Sequence, residues 1–479
     1  MQKVVAVLGG GIGGLSACHH LSKSPNVSKV QSCCWRDLGD AGGWLSSIRR
    51  DDGAVFEQGP RGVRPAGAVG QNTLNMVSEL GLESEVLPVP KDHVASKNRF
   101  LYVKGQLHKM PSGLGGVVRT IPPFSKPIIL SVLKEIRIRK GTEEDESVHA
   151  FVSRRLGSEL ADIAIDSLCR GVFAGDCRQL SVRSCFPPLY EAERSWGSIV
   201  LGMLMGSGGG PKVAPSDLAK RASKESWTQW SLKRGMQAFP EALEDTLKRR
   251  ERVELHHHAK VKSLNMNSGG WEIKLDDGIS LKADHVISTL PASELASVLP
   301  PAAQPLSDQL RSIATITVAV VNLEYEGFIL PATGFGHLVP SSEDPGLLGV
   351  VYDSVPFPQH NRSGGTTTRL TVMMGGAWFE QTFGHPDSVT KQTLLDRATK
   401  AVTFHLGLNS QPAWSCVAVL KNCIPQYHLG HWKRLEKMRQ YISNHNLPLT
   451  LAGASYDGVS VNDVIFSGRT AAEGLTGKT

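Results

Sequence analysis

The sequence predicts a mixed α/β and α+β fold in which one part is built on a parallel sheet, one is rich in strands and one is mostly helical. The apolar run at residues 4–8 is typical of a buried parallel strand and leads directly into a glycine-rich turn. Apolar, β-rich runs occupy residues 313–323 and 368–374, and helical patterns dominate residues 92–212. Short alternating runs at residues 253–255, 261–264 and 271–275 predict a β-meander, and residues 283–289 predict a strand that returns to the main sheet. Residues 461–472 have helical spacing. The 479 residues are enough for about three domains of roughly 150 residues each.

Composition excludes several classes of protein. Lys and Arg number 52 against 45 Asp and Glu, which gives a net charge of only +7, and aromatic residues make up 6% of the chain. A nucleic-acid-binding groove needs clustered basic residues with exposed aromatics between them, so we predict no nucleic-acid partner. No apolar run approaches the roughly 18 residues of a spanning helix, so we expect any membrane contact to be peripheral.

The turn at residues 9–14 carries the spacing of a dinucleotide-binding fingerprint. Gly9 permits the tight turn, Gly11 lets the backbone approach a diphosphate, and Gly14 lets the following helix pack on the strand. The start of that helix favours the negative charge of the phosphates. The predicted cofactor contacts in this turn are Gly9, Gly10, Gly11, Ile12, Gly13 and Gly14.

The next strand lacks a clear ribose-binding acid. Cys34 stands where an Asp or Glu is expected about 20 residues after the fingerprint, and Asp37 or Asp40 would serve only after a slip or bulge of the strand. A second glycine-rich stretch follows, and two such stretches within 65 residues favour FAD over NAD because FAD is contacted along its whole extended length. The predicted contacts here are Trp44, Gly59, Pro60, Arg61 and Gly62.

Motifs spread along nearly the whole chain resemble the superfamily of FAD-dependent amine oxidases and protoporphyrinogen oxidases. They are most similar to the animal mitochondrial protoporphyrinogen oxidases. The matching stretches are residues 57–65, 98–103, 166–175, 334–340 and 451–463.

The resemblance implies a discontinuous, Rossmann-like FAD-binding domain, a β-rich substrate domain and a mostly helical membrane-associating domain. It also implies that Val261, Val459, Ser460 and Val461 contact the cofactor. The predicted boundaries are 1–91, 246–297 and 446–479 for the FAD-binding domain, 213–245 and 298–445 for the substrate domain, and 92–212 for the helical domain.

The activity implied by the resemblance is the oxygen-dependent oxidation of protoporphyrinogen IX to protoporphyrin IX in haem biosynthesis. Six electrons leave in three flavin cycles, and each cycle gives H₂O₂. Flavin N5 accepts the hydride, so no catalytic side chain is assigned. Arg99 is the expected anchor for a propionate, because a guanidinium pairs with a carboxylate through two hydrogen bonds. The slot-lining residues are expected to be Gly171, Phe335, Gly336, Leu338 and Met373.

A run at residues 127–140 is apolar and then basic, which suits the surface of an anionic membrane but also fits a plain core helix with a charged end. The resemblance favours the membrane and implies the intermembrane-space side of the mitochondrial inner membrane. It further implies a homodimer and contact with neighbouring haem-pathway enzymes. The N-terminus runs straight into a strand, so we expect no cleavable leader.

Two other functions remain open at this point. The first is an amine or polyamine oxidase on the same fold, which would produce no porphyrin. The second is a flavin-free binding or structural protein, because residues 31–41 depart from the family pattern. His256, His257 and His258 are not expected to bind a metal, because consecutive residues on a strand point to opposite faces.

Overall fold

The computed structural model describes residues 2–33, 43–206, 213–267 and 269–477. Its strands are β1 (Lys3–Leu8), β2 (Val27–Cys33), β3 (Ser47–Arg49), β4 (Val55–Glu57), β5 (Val86–Pro90), β6 (Phe100–Val103), β7 (Gln106–Lys109), β8 (Trp227–Leu232), β9 (Val253–His256), β10 (Val261–Asn267), β11 (Gly270–Leu275), β12 (Ser280–Ala283), β13 (His285–Ser288), β14 (Thr315–Glu326), β15 (Gly336–Leu338), β16 (Leu347–Val351), β17 (Thr367–Gly376), β18 (Trp414–Pro425) and β19 (Leu449–Leu451).

The helices of the described residues follow the same order. They are α1 (Ile12–Ser22), α2 (Gly67–Glu79), α3 (Val94–Lys97), α4 (Gly113–Val118), α5 (Ile128–Glu135), α6 (Val148–Leu156), α7 (Asp166–Phe173), α8 (Val182–Cys185), α9 (Pro187–Trp196), α10 (Ile199–Met205), α11 (Asp217–Lys224), α12 (Ala238–Lys248), α13 (Ala292–Val298), α14 (Gln304–Arg311), α15 (Phe379–Phe383), α16 (Lys391–Leu406), α17 (His431–Asn444) and α18 (Val461–Thr476).

A five-stranded sheet in the order β19-β13-β1-β2-β9 carries the glycine-rich turn, and all its pairs are parallel. Val5 and Val7 point into a core shared with α1 and α18, whereas Ala6 and Leu8 point into a core on the opposite face. Because both faces are covered, β1 is a continuous apolar run, as the sequence predicts. The Rossmann-like sheet and the return strand β13 are therefore confirmed.

The segment from β9 to β12 differs in one detail from the expectation. Strands β10, β11 and β12 form the predicted antiparallel meander. Residues 253–255 were expected to belong to it, but β9 pairs in parallel with β2 as the outer strand of the main sheet. The physical reason is that α12 precedes β9 and packs against α1, which makes a crossover connection to a parallel strand.

A seven-stranded sheet in the order β18-β14-β17-β16-β15-β6-β7 forms the β-rich part, with α16 packed against it. The hairpin β6–β7 belongs to this sheet, although residues 92–212 were expected to be mostly helical. Leu101 and Val103 are buried while Phe100 and Tyr102 are half-buried, so these four residues follow the two-residue period of a strand. Strand β6 pairs in parallel with β15 and brings Arg99 next to the segment before Gly336.

Helices α4 to α10 form the helical part around a core that includes Phe151, Phe173 and Leu180. Buried Glu135 joins α5 to two neighbouring helices by pairing with Arg155 and accepting hydrogen bonds from the Ser198 hydroxyl at 2.5 Å and the Ile199 amide at 2.9 Å. Within the described ranges, no helix has both the length and the apolar character needed to span a bilayer.

Residues 213–245 pack differently from their predicted place in the substrate domain. Leu218 of α11 and Phe239 of α12 lie in the core of the parallel sheet, together with Leu15 of α1. Strand β8 pairs with β5 in a separate two-stranded sheet. The remaining predicted boundaries stay predictions.

Candidate functional site

The glycine-rich turn joins the end of β1 directly to α1 and leaves no room for larger residues at two positions. Gly9 has a φ of +113°, and a Cβ there would lie 2.5 Å from Thr289 Oγ1. A Cβ on Gly14 would lie 1.9 Å from the Gly9 carbonyl oxygen. These approaches give the two outer glycines the steric roles predicted from their spacing.

Gly11 has different surroundings. It is the N-cap of α1, and no described atom would lie within 4 Å of an added Cβ. No side chain caps α1, and its first turn contains no acidic residue. The first amide groups of a helix carry partial positive charge, so this open space fits the diphosphate of a dinucleotide cofactor. Gly10 and the buried residues Ile12 and Gly13 complete the turn.

The second glycine-rich stretch packs tightly against the residues before β3. A Cβ on Gly59 would lie 1.8 Å from the Trp44 carbonyl oxygen, so these two predicted cofactor contacts touch. Arg61 pairs with Asp353 at 2.9 Å, and both side chains are nearly buried. Pro60 and Gly62 flank this arginine, and Gly62 packs on the Trp230 backbone. Arg61 therefore links the cofactor segment to the β-rich part.

The start of α18 lies against the same glycine-rich turn. The Ser460 hydroxyl accepts from the Asp463 amide at 3.2 Å, and the Asp463 carboxylate accepts from the Ser460 amide at 3.3 Å, which forms a capping box. A Cβ on Gly13 would lie 2.9 Å from a methyl group of Val464. Val461 packs on the core of the parallel sheet, and Val459 packs on the helical core.

Val261 begins β10 and is buried in the cluster that contains Leu8 and Cys33, the last residues of β1 and β2. This position beside the carboxyl ends of parallel strands is where open α/β sheets bind ligands. Cys34, Asp37 and Asp40, the candidates for the ribose-binding position, lie outside the described residues.

Glu57 is a buried carboxyl group at the end of β4, between β3 and the residues that precede α12. It accepts hydrogen bonds from the Ser47 hydroxyl at 2.8 Å and the Met236 amide at 2.7 Å. Burial raises the pKa of Glu57 to about 7, although both hydrogen bonds and the charge of Arg61 oppose the shift. The raised pKa of Glu57 could not be predicted from the sequence, because an exposed glutamate could stand in the same stretch of residues.

The predicted slot residues lie on α7, at β15 and on β17, and β16 lies between these two strands. A Cβ on Gly171 would lie 2.9 Å from a Leu338 methyl group, so the two contact each other. Gly349 of β16 pairs with Leu338 on one side and with Met373 of β17 on the other. Gly336 has a φ of +146°, and a Cβ there would meet the Val350 carbonyl oxygen at 2.3 Å.

His337 stands between Gly336 and Leu338 and faces the opposite side of the sheet. Its ring nitrogens lie 2.8 Å from the Tyr352 hydroxyl and 2.9 Å from His405 Nδ1. Burial holds the pKa of His337 well below its usual value, so the ring is neutral. These buried contacts hold β15 in place on the face of the sheet opposite the predicted slot residues.

Arg99 is exposed and lies beside one of the predicted slot residues, with its guanidinium carbon 5.9 Å from the centre of the Phe335 ring. Partial burial lowers the pKa of Arg99, and the nearby charge of Arg64 lowers it further. No carboxylate of the described residues counteracts either effect. The Arg64 carbonyl accepts from the Asn462 side chain at 2.8 Å, which ties this second cation to α18.

The cofactor and slot residues share packed clusters. Trp44 and Met373 both pack on the cluster that contains Val318 and Leu348. Val459 packs on the cluster that contains Phe173, two residues after Gly171. The structure therefore brings the predicted cofactor and substrate residues to neighbouring places.

Sequence reasoning missed Arg64 even though it lies inside a recognised motif. Arg61 and Arg64 are three residues apart, and only the fold distinguishes the one paired with Asp353 from the one beside Arg99. It also missed Tyr427, whose hydroxyl contacts residues about 30 positions further along the chain. No local pattern could have indicated that contact.

Comparison with known proteins connects this geometry to a family. The family described as flavin containing amine oxidoreductase matches residues 39–476. The protoporphyrinogen oxidase of Homo sapiens is 52% identical over 478 residues, which cover 100% of this chain and 99% of that protein. The protoporphyrinogen oxidase of Bos taurus is 51% identical with the same coverage.

A crystal structure from Exiguobacterium sp. 255-15 superposes with a TM-score of 0.76 over 100% of both chains at 22% identity, which shows a shared fold. The predicted fold class is thus confirmed by both the sheets and the superposition. The two mammalian relatives are identical to this chain at more than half of the aligned positions, which shows membership of a family and not only a shared fold. The chain belongs to the flavin-containing amine oxidoreductase family and, within it, to the protoporphyrinogen oxidases.

Proposed function

We propose that this chain oxidises protoporphyrinogen IX to protoporphyrin IX with FAD and O₂, and that Arg99 binds a substrate propionate. The single observation that best supports the site is the position of Arg99, whose guanidinium carbon lies 5.9 Å from the centre of the Phe335 ring and which has no carboxylate partner among the described residues. A large apolar macrocycle with two carboxylates needs this combination of apolar walls and a cationic end.

The residues expected to hold FAD lie around the glycine-rich turn. The amide groups at the start of α1 would bind the diphosphate, and Val261 would lie on the adenine side. Trp44, Gly59 and the residues at the start of α18 would hold the part of the cofactor nearer the slot. Bound FAD would supply the electron acceptor for the porphyrinogen, with O₂ as the final oxidant and H₂O₂ as its product.

The protein contributes binding and orientation. Leu338 and Met373 offer apolar contact to the macrocycle and exclude water. Arg99 fixes one end of the substrate, and the positive charge of Arg64 adds to the field that attracts a dicarboxylate. A substrate held in this way would have one defined orientation relative to bound FAD.

An Arg99→Ala variant tests the anchor. We expect KM for protoporphyrinogen to rise about 10- to 100-fold, since a charge-assisted hydrogen bond to a carboxylate contributes about 1.5–3 kcal/mol. The kcat value changes less, because the lost contact lies away from the reacting carbon. Porphyrin fluorescence measures the rate.

Lys97→Ala is the matched control, because Lys97 is an exposed cation two residues away at the end of α3. Unchanged kinetics of the Arg99→Ala variant would remove Arg99 from the site. An amine oxidase would instead release H₂O₂ from amines or polyamines and yield no fluorescent porphyrin. A purified protein without a visible flavin absorption band would favour the flavin-free alternative.

The face formed by α5 and α10, which we call the apolar face, is the proposed membrane contact. Leu130 and Leu133 on α5 are 52% and 56% exposed, and Met203 and Leu204 on α10 are 67% and 77% exposed. Exposed Lys126, Lys134, Arg137, Arg139 and Lys140 lie on or next to α5. Exposed apolar side chains with neighbouring cations fit the interface of an anionic bilayer.

The location proposed for this contact is the intermembrane-space side of the mitochondrial inner membrane. A homodimer and contact with neighbouring haem-pathway enzymes are proposed on the family resemblance alone. These three statements stay predictions.

A further inference from the structure

Residues 425–431, which we call the strap, connect the end of β18 to the start of α17. Gln426, Tyr427 and His431 of the strap are all buried, with at most 2% of each residue exposed. A buried connection between a strand and a helix is unusual, because its polar groups need partners inside the protein. The partners of these three side chains come from two different parts of the molecule.

Tyr427 holds residues 453–458, which we call the cofactor turn. Its hydroxyl donates to the Ala454 carbonyl at 2.5 Å and accepts from the Gly458 amide at 2.9 Å, so a single side-chain oxygen closes the turn. The His431 ring stacks on the Tyr427 ring at 4.1 Å, and His431 Nε2 lies 3.0 Å from the Tyr456 carbonyl.

The cofactor turn touches the glycine-rich turn. A Cβ on Gly13 would lie 3.9 Å from Gly453 Cα, and a Cβ on Gly453 would lie 3.4 Å from the Thr289 carbonyl oxygen. Val459 and Ser460 follow the cofactor turn immediately. A shift of this turn would therefore move the residues that the proposed function places against FAD.

Gln426 holds the other part, the end of α7. Its Nε2 donates to the Phe173 carbonyl at 3.0 Å, in the last turn of the helix that carries Gly171. The strap backbone adds two contacts to the helical part, because the Ser181 amide donates to the Tyr427 carbonyl at 2.8 Å and the Leu429 amide donates to the Gln179 carbonyl at 3.1 Å.

We propose that the strap is a positioning element that sets the distance between the cofactor turn and the slot helix α7, with Tyr427 holding the turn and Gln426 holding the helix. Gln426 and Tyr427 are neighbours in the strap, yet Gln426 acts on the helix proposed to line the substrate slot and Tyr427 acts on the turn proposed to contact FAD. The proposal rests on the proposed function, because that function assigns FAD to the turn and the porphyrinogen to the slot.

The test separates the two contacts. Tyr427→Phe keeps the ring and its stacking but leaves the Ala454 carbonyl and the Gly458 amide without their partner. We expect FAD to dissociate from the purified holoenzyme about 10-fold more readily, measured by the flavin fluorescence regained on serial dilution. KM for protoporphyrinogen should change less than twofold.

Gln426→Met removes the donor to the Phe173 carbonyl and keeps the length of the side chain. We expect the reverse pattern, with KM for protoporphyrinogen raised about 5- to 10-fold and FAD dissociation unchanged. A purely structural role would lower the thermal midpoint of both variants and leave both binding constants alone, and that result would overturn the proposal.

Tyr325→Phe is the matched control. Tyr325 is a tyrosine of β14 that is 1% exposed, and its hydroxyl has no partner among the described residues. If Tyr427→Phe does not fold, His431→Phe carries the same expectation for FAD, because it removes the contact with the Tyr456 carbonyl. A wild-type chain that binds no FAD would instead overturn the proposed function, so the two failures are distinguishable.

Discussion

Gly11 and Gly14 belong to one turn, yet an added methyl group would meet different surroundings at the two positions. At Gly11 the methyl group meets no described atom within 4 Å, and the backbone φ of −73° suits alanine. We therefore expect Gly11→Ala to keep the thermal stability of the flavin-free protein while weakening FAD binding at least about 10-fold, because the methyl group would occupy the space proposed for the diphosphate.

Gly14→Ala is the companion variant. Its Cβ would lie 1.9 Å from the Gly9 carbonyl oxygen, so the turn or the helix must move. We expect this variant to lose about 2 kcal/mol or more of folding free energy as well as FAD affinity. Equal stability of the two variants in thermal unfolding without FAD would contradict this assignment of roles.

The protonation of Glu57 predicts a pH dependence of stability. In the folded protein burial raises its pKa to about 7, from a usual value of 4.5. The folded state therefore binds more protons between these values, so the contribution is fully present below about pH 4.5 and is lost as pH rises through about 7. A difference of one in pKa corresponds to about 1.36 kcal/mol, so the free energy of unfolding falls by about 3 kcal/mol over this range.

The measurement is urea unfolding of the wild type and of Glu57→Gln at pH 5 and pH 8. Glutamine accepts from the Met236 amide and donates to Ser47, and it does not titrate. We expect the wild type to lose stability relative to the variant over this range. A constant difference between the two proteins would show that Glu57 is already ionised at pH 5.

At the residue scale, the sequence specified steric roles better than electrostatic ones. The spacing of the glycines predicts the close approaches at Gly9 and Gly14, because backbone geometry follows local order. The separate environments of Arg61 and Arg64 depend on Asp353 and on Arg99, which lie far away in the chain. A local motif carries no information about such partners.

At the element scale, helices α5 and α10 yield the prediction about membranes. Leu133→Glu combined with Leu204→Glu replaces two exposed apolar side chains with charges on the apolar face. We expect binding to anionic phospholipid vesicles to weaken at least about 10-fold, because each leucine inserted in the interface contributes about 1.5–3 kcal/mol. Co-sedimentation with vesicles measures the bound fraction.

Phe404→Glu is the control for this experiment, since Phe404 is 69% exposed on α16, which packs on the seven-stranded sheet. We expect it to leave vesicle binding unchanged. If it weakened binding as much as the double variant, general loss of surface apolarity would explain the effect and the assignment of the apolar face would be wrong.

Two of the elements that sequence reasoning misplaced consist of short strands. Strands β6, β7 and β9 each span four residues, and the strands that join them to their sheets, β15 for β6 and β2 for β9, lie far away in the chain. A four-residue alternation is too brief to show which sheet will accept it. Long elements such as α18 were found correctly because their period repeats several times.

At the scale of the whole molecule, the sequence predicted which parts exist but not how they share cores. The parallel sheet, the β-rich sheet and the helical part all occur where their patterns indicated. Residues 213–245 nevertheless pack beside α1, because the apolar sides of α11 and α12 fit the parallel sheet. The amphipathic pattern of a helix shows that its apolar face must be buried, but it does not show which other element will cover that face.

The strand order β19-β13-β1-β2-β9 has a consequence for biosynthesis. Strand β1 lies in the middle of this sheet and is translated before the other strands, whereas the outermost strand on one side, β19, is complete only when residue 451 has been translated. The nascent chain therefore carries β13 without its outer neighbour until that point. A message truncated before codon 449 would release a product that lacks both β19 and α18, so the parallel sheet would keep an unpaired edge and the glycine-rich turn would lose the helix that packs on it.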